Sequence, residues 1–433
     1  MSFVFCSFMM TSCLNVSKDS YVVDDTIDDA HFFSDNLADQ EVNIYFFDVD
    51  NLNHGEETTR TAKSNAKINI SSCDAYMVKI GDVEILVDCG YQIMFSGVSV
   101  KEQYPYTYIQ PNIKENVDKN ILPKIASICT DGILDYLIVT HADFDHIASL
   151  VVEGGIIDSF INNKTITNLD GNSVKLKGIK NVIDFNSGVV ALHSYSEIDK
   201  EKRLCKSILY QTYLTKINEL INRQTNYLPA AALFDENVRQ GNTSISSMSI
   251  DNKLLATPEK MKEKVESKES ILSEDNPNGA AKQYVNSVRK NSSYKDNVSK
   301  LGGELKAEKI KNEEEKDESY RYYYSIPLKA NTELRILYNW YYDFAERHGF
   351  GGQTESHGFG GQDVNNPSVC LQVVQNEFKF MSCGDLGGNG ESGILNYYKG
   401  TSILKDIKVF RASHHGSTNN SENSQNLFEE KNP

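Results

Sequence analysis

One short motif limits what this chain can fold into and what it can do. The heptapeptide THADFDH, residues 140–146, directly follows LDYLIV, residues 134–139, a mostly apolar run of the kind that buried strands show. The motif therefore lies where a strand ends and a helix is expected to begin. Four of its side chains are of types that can ligate a metal: His141, Asp143, Asp145 and His146.

The spacing of these four side chains predicts two neighbouring metal ions. A tight turn can direct His141 and Asp143 at one cation, and Asp145 and His146 at a second cation about 3.5 to 4 Å away. Neutral imidazole and carboxylate suit Zn²⁺, Mn²⁺ or Fe²⁺, and no thiolate is needed. We therefore expect two divalent metal ions, Zn²⁺ or Mn²⁺. The alternative for this segment is a solvated polar turn.

Two later segments also place polar side chains directly after predicted strands. In the first, Gly384 permits close backbone approach and Asp385 would supply a carboxylate shared by both metals. The second is SHHGS, residues 413–417, whose adjacent imidazoles belong to His414 and His415. One imidazole can ligate a metal while the other orients the substrate or donates a proton. Either segment alone could be an ordinary polar turn.

Strand-like and helix-like runs alternate before the heptapeptide. Residues 42–47 (VNIYFF) have a strand pattern, and residues 75–80 (AYMVKI) and 83–87 (VEILV) are typical of a hairpin about Gly81-Asp82. Residues 121–130 have the apolar spacing of a helix. Together with the apolar run that precedes the heptapeptide, these elements predict an α/β fold.

Taken in order, the polar segments resemble the metallo-β-lactamase fold, in particular the soluble hydrolase domain of ComEC-type proteins. The segments that carry the resemblance are FFDV at 46–49, ILVDCG at 85–90, HADFDH at 141–146, NNPSV at 365–369 with Gly384-Asp385, and HHGS at 414–417. The resemblance implies a four-layer αββα sandwich with the metals at the sheet edge between its two halves. It also implies that Asp88 is a structural residue beneath the site, Asp385 the bridging ligand, and His414 or His415 the last ligand.

The chain departs from the family pattern at three places. Asp143 stands where the commoner form of the motif has His, which shifts the first metal site toward oxygen ligands and favours Mn²⁺. The family's separate mid-chain ligand has only His193 as a candidate, and a lone His at a strand end is more often a polar cap. The sequence ends at Pro433, soon after HHGS, where the family pattern has a further strand and helix. Residues 331–433 are therefore expected to form the second half of the domain, truncated at its C-terminus.

The remaining domain boundaries follow from composition. Residues 1–40 form an N-terminal leader or tail, and residues 41–195 form the first half of the metallo-hydrolase domain. Residues 196–330 are predicted to be a helical, charged insertion, because 203–222 are helical in period and about 235–320 are rich in Lys, Glu, Ser and Asn. This insertion would be a lid or a disordered arm.

The predicted activity is metal-dependent hydrolysis. Two cations would lower the pKa of a bridging water, Asp145 would orient that nucleophile, and His414 or His415 would protonate the leaving group. Phosphodiesters, including single-stranded nucleic acid, are the first substrate class, although a net charge of -16 opposes binding of polyanions. The alternatives are a small-molecule ester or lactone hydrolase, and a non-catalytic metal-binding scaffold with a protein partner at residues 235–320.

The location of the protein is predicted from its apolar segments. No uncharged apolar run approaches the roughly 18 residues needed to span a bilayer, which favours a cytoplasmic protein. Residues 1–14 resemble a bacterial lipoprotein leader that ends at Cys13, but the first cation is Lys18, after the apolar stretch. An envelope lipoprotein attached through Cys13 is therefore the alternative.

Tyrosines are concentrated at residues 320–324, with the sequence YRYYY. Aromatic faces beside a cation can stack on the bases of a single strand. Alternating Tyr more often packs on a half-buried sheet face, which is the interpretation that we favour.

Overall fold

A computed structural model describes part of this chain. The described residues are 4–6, 31–32, 42–47, 74–91, 110–141, 143–185, 212–213, 215–217, 219–234, 293–310, 319–339 and 368–416. They form a mixed α/β structure with two seven-stranded sheets and a separate two-stranded sheet. The predicted α/β class is therefore confirmed.

The first sheet has the strand order β10-β9-β6-β5-β4-β3-β2. Its strands are β2 (His31–Phe32), β3 (Val42–Phe46), β4 (Tyr76–Ile80), β5 (Val83–Val87), β6 (Ile133–Val139), β9 (Gly178–Asp184) and β10 (Asn226–Pro229). The predicted hairpin is β4 and β5, which pair antiparallel from Tyr76 opposite Val87 to Ile80 opposite Val83. From β5 to β10 the neighbouring strands are parallel, so their carboxyl ends lie at one edge of the sheet.

The second sheet has the order β1-β16-β15-β14-β13-β12-β11. Its strands are β1 (Val4–Cys6), β11 (Glu304–Ile310), β12 (Ser319–Pro327), β13 (Thr332–Leu337), β14 (Leu371–Gln375), β15 (Phe378–Ser382) and β16 (Val409–Arg411). Neighbours from β11 to β15 are antiparallel. Strands β15 and β16 are parallel, so the loops that follow them leave the sheet at the same edge.

Helices and the small sheet complete the described structure. The α-helices are α1 (Gln110–Asn116), α2 (Leu122–Ile128), α3 (Phe144–Val151), α4 (Ile156–Ile161), α5 (Ser293–Leu301) and α6 (Gly388–Tyr398). A π-helical turn, Val117–Ile121, joins α1 to α2, and 3-10 turns span Ala230–Leu233 and Ser413–Gly416. The described residues of 212–222 are also helical, and the small sheet pairs β7 (Thr165–Thr167) with β8 (Ser173–Lys175).

The two large sheets share one hydrophobic core. The ring of Tyr76 in the first sheet lies edge-on to the ring of Phe380 in the second, with centroids 5.5 Å apart. Because side chains alternate across a strand, the next residue of β15, Met381, packs on the other face of the second sheet, in a second core that includes Ile394 and Tyr398 of α6. Each face of the second sheet is thus covered by apolar contacts.

The range 196–330 contains strands that the sequence analysis did not predict. Strand β10 extends the first sheet, and β11 and β12 form one end of the second sheet, so this range is not simply a helical insertion. The charges of β11 (ELKAEKI) alternate along a terminal strand whose side chains are all exposed or half-buried. Because of these charges, the sequence analysis did not predict a strand here. The Tyr-rich residues 320–324 lie in β12, where Tyr324 is buried and Tyr320 is exposed.

Several predictions fall outside the described residues. They concern Cys13, His193 and the larger part of the charged stretch 235–320. Among the helices that are described, none combines the length and apolar character needed to cross a membrane.

Candidate metal centre

The site forms where loops from both sheets meet. Asp88 follows β5 and His141 follows β6, which are parallel neighbours. Asp385 follows β15 in the second sheet. The backbone N–H of Val369 donates to the carbonyl of Thr140 at 3.0 Å, which joins the chain that leads into β14 to the loop after β6. Parallel strand order and this hydrogen bond place the loops of the two halves side by side.

Asp88 organises the first half of the site. Its backbone has a positive φ of 54°, which turns the chain sharply after β5. The carboxylate accepts hydrogen bonds from the backbone N–H of Thr140 at 2.7 Å and from its hydroxyl at 2.6 Å. It also lies 2.9 Å from Nδ1 of His146. A single buried carboxylate therefore positions both ends of the heptapeptide, at the place where the resemblance implied a structural residue.

His146 lies in the first turn of α3 and is fully buried. With Nδ1 directed at Asp88, its Nε2 faces two other carboxylates, Asp385 Oδ1 at 3.2 Å and Asp74 Oδ2 at 3.4 Å. Burial alone would lower the pKa of His146, but Asp385 and Asp88 outweigh it and raise the pKa well above the usual value. This nitrogen is surrounded by negative charge, which is an environment that attracts a cation.

His141 presents the other imidazole, and its tautomer follows from the hydrogen bonds. The Thr140 hydroxyl has one hydrogen, which it donates to Asp88, so it accepts from Nδ1–H of His141 at 3.1 Å. Nε2 of His141 then carries the lone pair. Among the described residues this buried Nε2 has no hydrogen-bond partner. Burial, with a contribution from His146, lowers the pKa of His141 to about 4, so the ring is neutral at physiological pH.

These groups fit a divalent cation. The ligand atoms of His141, His146 and Asp385 lie within 4.8 Å of one another, and all three residues are buried. Two imidazole nitrogens and one carboxylate oxygen form the donor set of catalytic zinc sites that have three protein ligands and one open position. The buried Nε2 of His141, which lacks another partner in the described structure, is explained by such an ion.

Asp74 and Arg411 belong to the site, although the sequence analysis did not identify them. Asp74 precedes β4, and together with Asp88 and His146 it forms a second group of ligand atoms within 4.8 Å. The guanidinium of Arg411, at the end of β16, forms an ion pair with Asp74 Oδ2 and lies 3.9 Å from Asp385 Oδ1. Burial lowers the pKa of Arg411 to about 9. Arg411 is the single charged residue in the run VFRA, residues 409–412, and this charge is the sequence signal that could have identified it.

Two glycines allow this close packing. A Cβ on Gly90 would lie 1.7 Å from the backbone carbonyl carbon of Asp145, so the loop after β5 can contact the start of α3 only without a side chain. Gly384 has a positive φ of 54°, and a Cβ there would lie 2.7 Å from the Thr140 hydroxyl. Both glycines are required where the loops approach each other.

The other predicted site residues are not among the converging ligand atoms described above. Asp143 is the N-cap residue of α3 and Asp145 lies in its first turn, where its backbone carbonyl accepts from Asp74 N–H at 3.0 Å. His414 has a positive φ of 51°, and its N–H donates to the Gly384 carbonyl at 3.2 Å. The two groups of converging ligand atoms in the described structure include none of these three residues. The side chain of His415 and all of His193 lie outside the described residues.

Comparison with models of known protein families gives no match for this chain, and no curated protein matches it either.

Proposed function

We propose that this protein is a metal-dependent hydrolase whose centre is formed by His141, His146 and Asp385. The observation that carries the proposal is the convergence of these three buried ligand atoms within 4.8 Å, with His141 Nε2 directed into the group. Zn²⁺ and Mn²⁺ suit this mixture of imidazole and carboxylate. When bound, such a cation lowers the pKa of a water and polarises the scissile phosphoryl or carbonyl group.

The surrounding residues support this chemistry. Asp88 accepts the Nδ1 proton of His146 and thereby directs Nε2 toward the cation, an arrangement that raises the basicity of a ligand and fixes its orientation. The Thr140 hydroxyl likewise accepts the Nδ1 proton of His141 and thereby orients its Nε2. His414 follows the neighbouring strand β16 and is half-buried, and we assign to it or to His415 the transfer of a proton to the leaving group. Asp143 and Asp145 remain predicted ligands of a second cation.

We further propose that the two sheets and their helices form a four-layer αββα sandwich, similar to the metallo-β-lactamase fold of ComEC-type hydrolase domains. The core shared by the sheets and the packing of α6 on the outer face of the second sheet support this proposal. The order of the ligand-bearing loops along the chain supports it as well.

The first substrate class that we propose is phosphodiesters. Metal ions stabilise the charge that develops on phosphoryl oxygens, and the HADFDH form of the motif resembles nuclease domains. A small-molecule ester or lactone is the second candidate, because a net charge of -16 disfavours a long polyanion such as nucleic acid.

Metal content and hydrolysis can be measured on the same preparations. The full chain is loaded with Mn²⁺ or Zn²⁺, dialysed, and analysed by mass spectrometry for bound metal. Hydrolysis of bis-p-nitrophenyl phosphate, single-stranded DNA and p-nitrophenyl acetate is then followed. His141→Ala and Asp385→Asn are the test variants. Asp82→Asn, an exposed carboxylate in the β4–β5 turn, is the matched control.

We expect the wild type and Asp82→Asn to bind metal and to hydrolyse a phosphodiester, and both test variants to lose metal and activity together. Turnover of the acetate ester alone would favour the second candidate. Metal binding without turnover of any substrate would indicate the non-catalytic scaffold. A wild-type chain that binds neither metal would refute the proposal.

A further inference from the structure

The metal centre contains a permanent cation of its own, the guanidinium of Arg411. This side chain is buried, and besides its ion pair with Asp74 its position is fixed by one hydrogen bond and by the pairing of its backbone in the sheet. Arg411 donates to the carbonyl of Gly384 at 3.2 Å, and its backbone lies opposite Ser382 in the parallel pairing of β15 and β16. The charge is therefore held by the second sheet and directed at the carboxylates of the site.

The described structure offers two groups of converging ligand atoms, and both use His146. One combines His146 with His141 and Asp385, and the other combines it with Asp74 and Asp88. His146 is the only residue that the two groups share, and the second group adds the carboxylates of Asp74 and Asp88 as possible ligands.

The carboxylates of the second group, Asp74 and Asp88, already have partners within the protein. Asp88 accepts from the N–H and the hydroxyl of Thr140 in addition to its contact with His146. Asp74 forms the ion pair with Arg411. A divalent cation at this position would have to displace the guanidinium or lie beside a like charge in a buried site, where the repulsion is weakly screened.

We propose that Arg411 takes the place of a metal ion at the Asp74 side of the centre, so that no divalent cation binds at the group formed by Asp74, Asp88 and His146. This inference rests on the proposed function, since it requires that the chain binds a metal at all. Arg411 is a positioning residue in this role. Its guanidinium neutralises Asp74 without a metal.

The number of bound Mn²⁺ ions per chain tests this role without measuring activity. We compare the wild type with Arg411→Gln, Arg411→Lys and Asp74→Asn, and use Lys405→Ala as an exposed-cation control from the segment that precedes β16. Each protein is loaded, dialysed and analysed by mass spectrometry, and circular dichroism confirms that it is folded.

Arg411→Gln is expected to bind about one additional Mn²⁺ per chain, because the Asp74 side becomes a vacant acidic position. Arg411→Lys and Lys405→Ala should keep the wild-type number. Asp74→Asn should also keep it, because Asp74 is neutralised by Arg411 and is not a metal ligand.

Three results would overturn the inference. An unchanged metal number in folded Arg411→Gln would show that the guanidinium excludes nothing. Should that variant not fold, loss of a metal ion from Asp74→Asn would still refute the inference, because it would make Asp74 a ligand. In both cases the wild type binds metal and the proposed function stands. A wild type that binds no metal would refute both proposals.

Discussion

Asp88 Oδ2 and His146 Nδ1 lie 2.9 Å apart in a fully buried setting, and this contact determines which nitrogen of His146 faces the centre. The carboxylate is the acceptor, so the ring nitrogen on the opposite side is directed at Asp385. Removal of such an orienting carboxylate weakens metal binding in proteins because the ligand loses both its orientation and its basicity.

The first prediction follows from this contact. Asp88→Asn should lower the affinity for Zn²⁺ or Mn²⁺ by about 10- to 100-fold, since an amide is a weaker acceptor for Nδ1–H and cannot accept the Thr140 bonds equally well. Isothermal titration of the folded variant with the metal measures this loss. Asp82→Asn makes the same chemical change at an exposed carboxylate and should leave the affinity unchanged. Equal affinities for the two variants would contradict the role of Asp88.

The second prediction concerns the close contact at Gly90. Gly90→Ala should lower the free energy of unfolding by about 3 kcal/mol or more, because the new Cβ would overlap the backbone of Asp145 and His146 and force α3 away from β5. Urea unfolding followed by circular dichroism measures the change. Gly178→Ala, at a glycine with nothing within 4 Å of an added Cβ, is the control and should change the stability by much less.

The third prediction is a pH dependence in the second sheet. Glu333 accepts hydrogen bonds from Ser325 in β12 and from its neighbour Arg335. Burial would raise the pKa of Glu333, but these donors outweigh it and hold the pKa below its ordinary value of 4.5. The charged carboxylate therefore contributes stability above pH 4.5, and this contribution is lost as the pH falls through the lowered folded-state pKa.

Glu333→Gln should accordingly destabilise the protein by about 1 to 2 kcal/mol at neutral pH, and the difference from the wild type should shrink as the medium is acidified below pH 4.5. Urea unfolding at a series of pH values measures both proteins. Glu377→Gln, at an exposed turn position, serves as the matched control. A difference that stayed constant across this range would show that charge is not the cause.

The fourth prediction concerns a buried carboxylate at the carboxyl end of β9. Asp184 ends β9 and accepts from the hydroxyl of Tyr213 at 2.7 Å and from that of Tyr227 at 3.2 Å. Tyr213→Phe should cost about 1 to 3 kcal/mol of stability, because it removes a donor from a buried charge. Thermal unfolding compares it with Tyr320→Phe, an exposed tyrosine for which we expect no measurable shift.

The strands around the heptapeptide could be predicted from local patterns. The apolar run before residue 140 forms β6, and the two runs about Gly81-Asp82 form the β4–β5 hairpin. In both cases the apolar residues that become buried are close together in the sequence, so the local pattern is enough to predict the strands. The terminal strand β11 could not be predicted in this way, because its alternating Lys and Glu have the composition of an exposed, charged segment.

The site shows the same division between local and long-range information. His141 and His146 are recognisable because they lie in one short motif. Asp74 and Arg411 meet only when β4 of the first sheet and β16 of the second come together, and no local spacing relates them. Their charges compensate each other, so the role of each depends on a residue that is distant in the sequence.

The hydrogen bond from Val369 to Thr140 lies next to the proposed cation position, whose ligands would come from both sheets: His141 and His146 from the first, and Asp385 from the second. Binding of an ion there would connect the two sheets, so the free energy of metal binding would add to the free energy that holds them together. At a free metal concentration of about 100 times Kd this contribution is about 2.7 kcal/mol. Metal supply would then raise the free energy of unfolding of the chain, and a chelator would lower it.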